Sequence, residues 1–148
     1  MTFIADLKFG NIYEQDCLTR LKGAKIIQGK FKPYDVIDEK GIKYEVKADR
    51  WTYKTHNLCI EFECNNKPSG ITSSEADYYM YYIVNTDNKE KSYEYVLKIP
   101  SDDIRALIED KKYHKVQKGG NGWRSKFYLF RDTLFEKYLL SNSCNCNC

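Results

Sequence analysis

The sequence predicts an α/β fold in which a mixed central β-sheet is flanked by helices. Short runs with the two-residue alternation of strands are interspersed with segments of helical spacing. These segments follow no regular βαβ period, so the sheet should contain both parallel and antiparallel strands. The 148 residues fit one domain, which we place at residues 1–140, followed by a flexible Cys- and Asn-rich tail at 141–148.

The first half of the chain is predicted to contain a helix followed by strands. The spacing of the apolar residues predicts a helix over 10–22, which Gly23 ends. A tight turn over 38–41 should join two strands as a hairpin. The polar and aromatic segment 50–57 is predicted to be a loop. The predicted strands are 24–28, 34–37, 42–48 and 58–63.

The second half is predicted to alternate strands with helices. A short helix over 75–78, which either Thr72 or Ser73 would cap, is expected after a turn. The nearly continuous apolar run 79–84 indicates a central strand that is covered on both faces. The remaining elements are a strand at 92–99, a helix from its N-cap Ser101 through about Asp110, a flexible glycine loop at 119–122, a strand at 127–130 and a closing helix at 133–140.

Composition restricts the possible partners and the compartment. The net charge of +3 permits a local nucleic-acid-binding patch but does not indicate a histone-like arm. No apolar run approaches the length of about 20 residues that crosses a bilayer, so no membrane partner is expected. The first ten residues contain Asp6 and Lys8 and lack the apolar stretch of a signal peptide. We therefore expect an intracellular protein, cytoplasmic or, in a eukaryotic host, nuclear.

The six cysteines form two groups with different expected roles. Those in predicted packed elements should be free thiols in a reducing compartment. Those in the tail alternate with asparagine, and they either form a thiol-rich tail without a ligand or bind a soft metal such as zinc or copper(I). The first group is Cys17, Cys59 and Cys64, and the second is Cys144, Cys146 and Cys148.

The predicted hairpin carries the residues that point most directly to chemistry. Strand alternation puts Glu45 and Lys47 on the same face of one strand. Asp35 lies ten residues before Glu45 on the neighbouring strand, where the register of the turn can bring the two carboxylates together. Two carboxylates at short range repel, and a hard divalent cation relieves that repulsion. A solvated hairpin with a charged outer face is the alternative interpretation.

Magnesium suits such a pair because it accepts one or two carboxylates together with waters and a phosphate oxygen. An ion held by Asp35 and Glu45 would polarise a phosphate and lower the pKa of an attacking water. Lys47 can hold that water or the scissile phosphate and offset the charge that develops on phosphorus. Alone, the pattern fits either a magnesium-dependent hydrolase of phosphodiester bonds or a solvated hairpin. The aromatic and β-branched residues that flank each charge, and the preceding helix with Glu14, favour the hydrolase.

The same residues resemble the motif of the PD-(D/E)xK nuclease superfamily, which includes many restriction endonucleases and Holliday-junction resolvases. Pro33-Tyr34-Asp35 matches its first part, with one residue inserted, and Glu45-Val46-Lys47 matches its second. In that family the acids bind the metal and the lysine assists the nucleophile, which implies these roles for Asp35, Glu45 and Lys47. Many members add an acid on the first helix, where Glu14 is the matching position and a fourth catalytic candidate.

The resemblance also implies a fold and an activity. The predicted order over 10–84 is similar to the family's αβββαβ restriction-endonuclease-like core. The implied activity is that of a DNA endonuclease that uses Mg²⁺, with Mn²⁺ as a substitute, and leaves a 5′-phosphate. Its substrate would be duplex or branched DNA, and the sequence leaves single-stranded DNA open as an alternative. Small members often dimerise, so a homodimer is expected by analogy.

Further residues are candidates for DNA or metal contacts. Either Glu61 or Glu63 could complete the outer shell of the metal, or both could lie on a solvated strand face. A turn and a helix N-terminus could form a phosphate-binding corner, or only a turn and a cap. The predicted corner contains Lys67, Ser69, Gly70 and Ser74, whereas Asp77 is expected to be structural.

Two basic segments could contact DNA. The segment 50–57 mixes cations with aromatic rings that could stack on a base, although its rings could instead pin the loop. The glycine-containing stretch 111–124 holds the strongest basic cluster and could be a mobile phosphate-contacting loop. The residues concerned are Arg50, Trp51, Tyr53, Lys54 and His56 in the first segment, and Lys111, Lys112, His114, Lys115, Lys118 and Arg124 in the second.

Two other functions compete with the nuclease. A nucleic-acid-binding module on the same fold would bind DNA without cutting it. A structural or protein-interaction domain would keep the charged hairpin only as a solvated surface. The second alternative predicts that Lys47→Ala and Asp35→Ala change no measurable activity or metal affinity.

Overall fold

The computed structural model describes the backbone of residues 3–30 and 32–140. The predicted tail at 141–148, with Cys144, Cys146 and Cys148, lies outside the described residues. In the described part the strands are β1 (Lys25–Ile26), β2 (Val36–Ile37), β3 (Lys43–Asp49), β4 (Asn57–Cys64), β5 (Lys67–Pro68), β6 (Tyr78–Ile83), β7 (Tyr95–Pro100), β8 (Lys115–Gly119) and β9 (Ser125–Arg131).

Helices occupy less of the described chain than strands. The longest helix precedes the first strand, and the second-longest helix directly follows β7. The α-helices are α1 (Phe3–Arg20), α2 (Thr52–Thr55) and α3 (Ser101–Glu109), and the 3₁₀ helices are Gly70–Thr72, Asn121–Trp123 and Asp132–Tyr138. No helix in the described ranges has both the length and the apolar character needed to cross a membrane.

The strands form two sheets, so the α/β class is correct but the expectation of one sheet is wrong. The first sheet has the order β1-β2-β3-β6-β7, in which β3 and β6 are parallel and the other pairs are antiparallel. The second sheet has the order β5-β4-β9-β8 and is antiparallel throughout. The mixed sheet is therefore present, and the predicted strands 58–63 and 127–130 belong to a separate one.

The first sheet lies between α1 and the second sheet, and β6 is buried against both. Tyr79, Tyr81 and Ile83 pack with residues of β4, β9 and α3. The alternate residues Met80 and Tyr82 pack with α1. Because successive side chains of a strand point to opposite faces, a continuous apolar run is what a doubly covered strand requires. The prediction of a central strand at 79–84 is confirmed.

Two predicted loops are regular structure instead. Residues 52–55 form α2 because the Asp49 carboxylate accepts hydrogen bonds from the backbone N–H groups of Trp51 and Thr52, both at 2.8 Å. Residues 115–119 form β8, an edge strand that pairs with β9. The mobile loop expected over 111–124 is therefore wrong. Its basic residues lie mainly on and around an exposed edge strand, where lysines also discourage edge-to-edge association.

Three helix predictions need correction. Residues 75–78 do not form a helix, because Asp77 donates its N–H to the Lys43 carbonyl and so extends the pairing of β3 with β6. Ser101 is the first helical residue and not the N-cap, which is Pro100. The closing helix is a 3₁₀ helix over Asp132–Tyr138.

Candidate active site

Asp35 is fixed at the start of the hairpin by hydrogen bonds to β3. Its N–H donates to the Tyr44 carbonyl at 2.9 Å, and its Oδ2 accepts from the Val46 N–H at 2.8 Å. The neighbouring residue Val36 is buried against α1. Asp35 points away from the side chain of Val36, and its carboxylate lies against the backbone of β3. The residue is buried, so its carboxylate is held in one place.

Glu45 and Lys47 lie on the same face of β3. In the parallel pairing they stand opposite Tyr79 and Tyr81, whose side chains face the second sheet. The Lys47 ammonium lies 3.6 Å from Glu45 Oε2, and the Lys47 side chain is 45% exposed. Glu45 is thus largely enclosed, while Lys47 reaches from the same strand toward solvent.

The structure brings the carboxylates of Asp35 and Glu45 together. Burial raises the pKa of Glu45 to about 7, and the charge and hydrogen-bonding contact of Asp35 add to the rise, while Lys47 opposes it. Burial is the main cause, and the Asp35 carboxylate adds the repulsion expected between two acids at short range. With a pKa of about 7, the Glu45 carboxyl takes up or releases a proton near neutral pH.

Lys32 joins this site although the sequence patterns did not indicate it. Its ammonium lies 3.3 Å from Asp35 Oδ1 and 3.5 Å from Glu14 Oε2. Burial alone would lower the pKa of Lys32, but the two carboxylates outweigh it and raise that pKa. The side chain of Glu14, on α1, is therefore tied to Asp35 through a shared cation. The spacing of three residues between Lys32 and Asp35 was the only signal available.

Two serines orient acids around the site. The Ser74 hydroxyl donates to Glu45 Oε1 at 3.4 Å, and the Ser69 hydroxyl donates to Glu61 Oε2 at 2.8 Å. The predicted phosphate-binding corner lacks its helix, because residues 75–78 are extended. Both serine hydroxyls therefore contact carboxylates, and Ser69 precedes only the three-residue 3₁₀ helix Gly70–Thr72, which it does not cap with its side chain.

A cleft of about 220 Å³ opens next to Lys47. Its lining includes Arg50 and Trp51 from the segment after β3, and Glu61 from β4. Neither Asp35 nor Glu45 lines the cleft, which is connected to the acid pair through Lys47. A substrate that reaches Lys47 can therefore extend into it.

Other predicted residues have contacts outside the acid pair. The Lys54 ammonium lies 3.1 Å from Asp87, and Glu63 pairs with Lys126 at 2.9 Å. His56 Nδ1 lies 2.9 Å from Asp132 and borders a different pocket. Lys67 is exposed on β5 at the edge of the second sheet. Asp77, expected to be structural, accepts the Lys43 N–H through its carboxylate at 2.9 Å.

The donor set at the site suits a hard cation with few protein ligands. In the described ranges no three Asp, Glu, His or Cys side chains converge closely enough to form a complete metal cage. Magnesium does not require one, since it keeps several waters and takes one or two carboxylates plus substrate phosphate oxygens. The mutual repulsion of Asp35 and Glu45 is the feature that such an ion would relieve. The residues present therefore fit Mg²⁺ or Mn²⁺.

No family model and no curated protein matches this chain. The chemistry of the site therefore rests on the arrangement of its own residues.

Proposed function

We propose that this protein is a metal-dependent DNA endonuclease of the PD-(D/E)xK type, which hydrolyses phosphodiester bonds in duplex or branched DNA. The observation that carries the proposal is the buried pair of Asp35 and Glu45, in which the Glu45 pKa is about 7, with the Lys47 ammonium 3.6 Å from Glu45. A pair of crowded carboxylates beside an amine is the minimum set for binding a cation and a phosphate together.

The topology of the first sheet supports this proposal. The chain order α1-β1-β2-β3-β6 has a helix, three strands and a further strand of the same sheet, which is the part of the αβββαβ order that the resemblance implies. In this sheet β6 is parallel to β3. The connection from β3 to β6 departs from the expected single helix. It passes through α2, two strands of the second sheet and a 3₁₀ helix. Different elements therefore cover the sheet, but the hairpin that carries Asp35 and Glu45 is unaffected by this difference.

In this mechanism Asp35 and Glu45 hold the divalent cation, Mg²⁺ or Mn²⁺. When bound, the ion supplies positive charge to the scissile phosphate and lowers the pKa of the attacking water. Val46 and Ser74 keep the two carboxylates in position through their hydrogen bonds. Lys47 orients the water or a phosphate oxygen and offsets charge in the transition state.

The bond changes are those of in-line hydrolysis. The water oxygen forms a new bond to phosphorus, and the bond from phosphorus to the 3′-oxygen breaks. The water gives up a proton and the 3′-oxygen gains one, so the products are a 5′-phosphate and a 3′-hydroxyl. Lys32 holds Glu14 and Asp35 near each other, because its ammonium offsets both negative charges.

The test is an incubation of the purified protein with linear, supercoiled and four-way-junction DNA, with Mg²⁺ or with EDTA. We expect cleavage of at least one DNA in Mg²⁺ and none in EDTA. Asp35→Asn should abolish cleavage, because the amide cannot supply the negative charge that binds the cation. Asp110→Asn is the matched control, since Asp110 is exposed at the end of α3.

Equal cleavage by the wild type and Asp35→Asn would contradict the proposal. Binding of DNA without cleavage in Mg²⁺ or Mn²⁺ would favour a binding module on the same fold.

A further inference from the structure

The cleft beside Lys47 has an exposed aromatic ring on a rigid support. The Trp51 side chain lines the cleft, and the residue is 69% exposed. Both the backbone N–H and the backbone carbonyl of Trp51 are hydrogen-bonded. The N–H donates to Asp49 Oδ1 at 2.8 Å, and the carbonyl accepts from the Thr55 N–H at 2.9 Å. An exposed indole offers a flat face on which a base can stack.

The charges around the cleft favour a neutral occupant. Lys47 brings positive charge, whereas Asp49 and Glu61 bring negative charge. The charge of Arg50 also acts on the Tyr13 hydroxyl, where it opposes the rise in the pKa of Tyr13. Asp49 uses both carboxylate oxygens to cap α2, accepting from Trp51, Thr52 and the Thr52 hydroxyl. Ser69 donates to one oxygen of Glu61, which leaves the second oxygen able to accept another hydrogen bond.

These charges distinguish the two parts of a nucleotide. A carboxylate repels a phosphate, but it accepts hydrogen bonds from the amino groups on base edges. The cation at Lys47 suits the phosphate next to that base. The arrangement therefore matches a base within the cleft and its phosphate at Lys47.

We infer that this cleft binds an unpaired nucleobase, stacked on Trp51, beside the phosphate that is cut. The inference rests on the proposed function and names its substrate class, a DNA with at least one unpaired nucleotide at the cleavage site. In an intact duplex the bases are stacked on one another and offer no open face. A single strand, a flap or a branch point offers one without the cost of flipping a base out.

The chain supplies its own reporter and control for this inference. It has two tryptophans, Trp51 and Trp123, and Trp123 is similarly exposed at 70% but is not part of the cleft. Trp123→Phe therefore leaves Trp51 as the source of the tryptophan fluorescence, and Trp51→Phe leaves Trp123 as its source. Each variant is titrated in EDTA with a mixed-sequence single strand and with the blunt duplex of the same sequence.

We expect the single strand to quench Trp51 strongly and Trp123 weakly, and the duplex to quench neither strongly. Trp51→Ala should weaken single-strand binding by about tenfold or more, whereas Trp51→Phe should retain most of the affinity and Trp123→Ala all of it. Circular dichroism confirms that each variant is folded. The inference is overturned if the single strand binds while Trp51 fluorescence stays constant, or if Trp51→Ala binds the single strand as tightly as the wild type.

The two proposals fail separately. A Trp51 response to the single strand, with no cleavage of any DNA in Mg²⁺, would support the base-binding cleft and contradict the nuclease. Cleavage in Mg²⁺ that Trp51→Ala leaves unchanged, with unchanged single-strand affinity, would support the nuclease and contradict the cleft.

Discussion

Glu45 links the stability of the protein to the chemistry of its site. Its pKa is about 7 in the folded chain, against 4.5 for an ordinary glutamate, chiefly because of burial. Since the folded-state pKa is the higher one, the protonated carboxyl gives a stabilising contribution that is fully present below about pH 4.5. This contribution is lost as the pH rises through about 7. The ionised pair is therefore a local strain that a bound cation would relieve.

Replacing Glu45 by glutamine should increase stability at alkaline pH. In EDTA at pH 8, Glu45→Gln should be more stable than the wild type by up to about 3 kcal/mol, and at pH 4.5 the difference should vanish. Urea unfolding at the two pH values measures it. Glu109→Gln, an exposed position on α3, should change little at either pH. A Glu45→Gln protein less stable than the wild type at pH 8 would refute this account of the pair.

Lys47 should matter for rate far more than for affinity. It lies beside Glu45 and is half exposed, so its removal takes charge from the transition state and disturbs little packing. Lys47→Ala should lower kcat by about 10²- to 10³-fold, while the Kd for DNA changes only a few-fold. Single-turnover cleavage and filter binding separate the two effects. Lys25→Ala on β1 is the control, and a loss confined to DNA affinity would show that Lys47 only binds.

The sequence predicted the proximity of candidate site residues where these residues lie on neighbouring strands of a hairpin. Asp35, Glu45 and Lys47 could be grouped from sequence because a tight turn sets the register between their strands. Lys32 could not be assigned, because it lies before Pro33, outside the predicted strands. Its contact with Glu14 also requires α1 to pack on the sheet. The electrostatic partner of an acid is thus harder to infer than the acid itself.

At the scale of elements, the connection from β3 to β6 depends on one close approach of two backbones. Gly70 has a φ of +54°, and a Cβ at this position would overlap the carbonyl oxygen of Glu61 on β4. This contact holds the chain against β4 between Ser69 and Ser74, the two serines that bind acids of the site. Glycine is needed here for both its conformation and its lack of a side chain.

Gly70→Ala should therefore destabilise the protein strongly. Strained backbone and overpacking together should cost roughly 2 to 5 kcal/mol, as measured by urea unfolding. Gly41→Ala is the matched control, because Gly41 has a φ of +82° but open space where a Cβ would lie, so only the backbone cost of about 1–2 kcal/mol remains. Equal losses for the two variants would mean that the contact with Glu61 is unimportant.

The strength of a local pattern decided which elements could be predicted. The apolar run of β6 identified a buried strand because hydrophobic burial leaves a strong sequence signal. The lysine-rich strand β8 left none, since it is exposed on an edge and takes its hydrogen bonds from β9. Similarly, α2 forms because the Asp49 side chain caps it. The spacing of apolar residues does not predict this specific contact.

At the scale of the whole molecule, the site exists only where the layers meet. The second sheet covers the face of β3 and β6 from which Glu45 projects, and it provides Glu61 at the cleft. Sequence patterns located most strands but could not divide them between two sheets. The pairing of β4 with β9 joins segments more than 60 residues apart, and alternation within each strand carries no information about its partner.

Metal binding should be linked to folding, because the site is assembled from separate strands. Asp35 and Glu45 come from separate strands, so the pair forms only in the folded chain, and a cation bound there adds to the stability of the whole molecule. Since the ion competes with the proton on Glu45, its affinity should increase as the pH rises through about 7.

Calorimetric titration of Mn²⁺ into the protein without DNA tests the central claim most directly. At pH 8 the account predicts saturable binding by the wild type and by Glu109→Gln, weaker binding at pH 5.5, and none by Asp35→Asn or Glu45→Gln. Mn²⁺ binding of equal strength in the wild type and in both active-site variants, or no binding by the wild type at millimolar Mn²⁺, would contradict it.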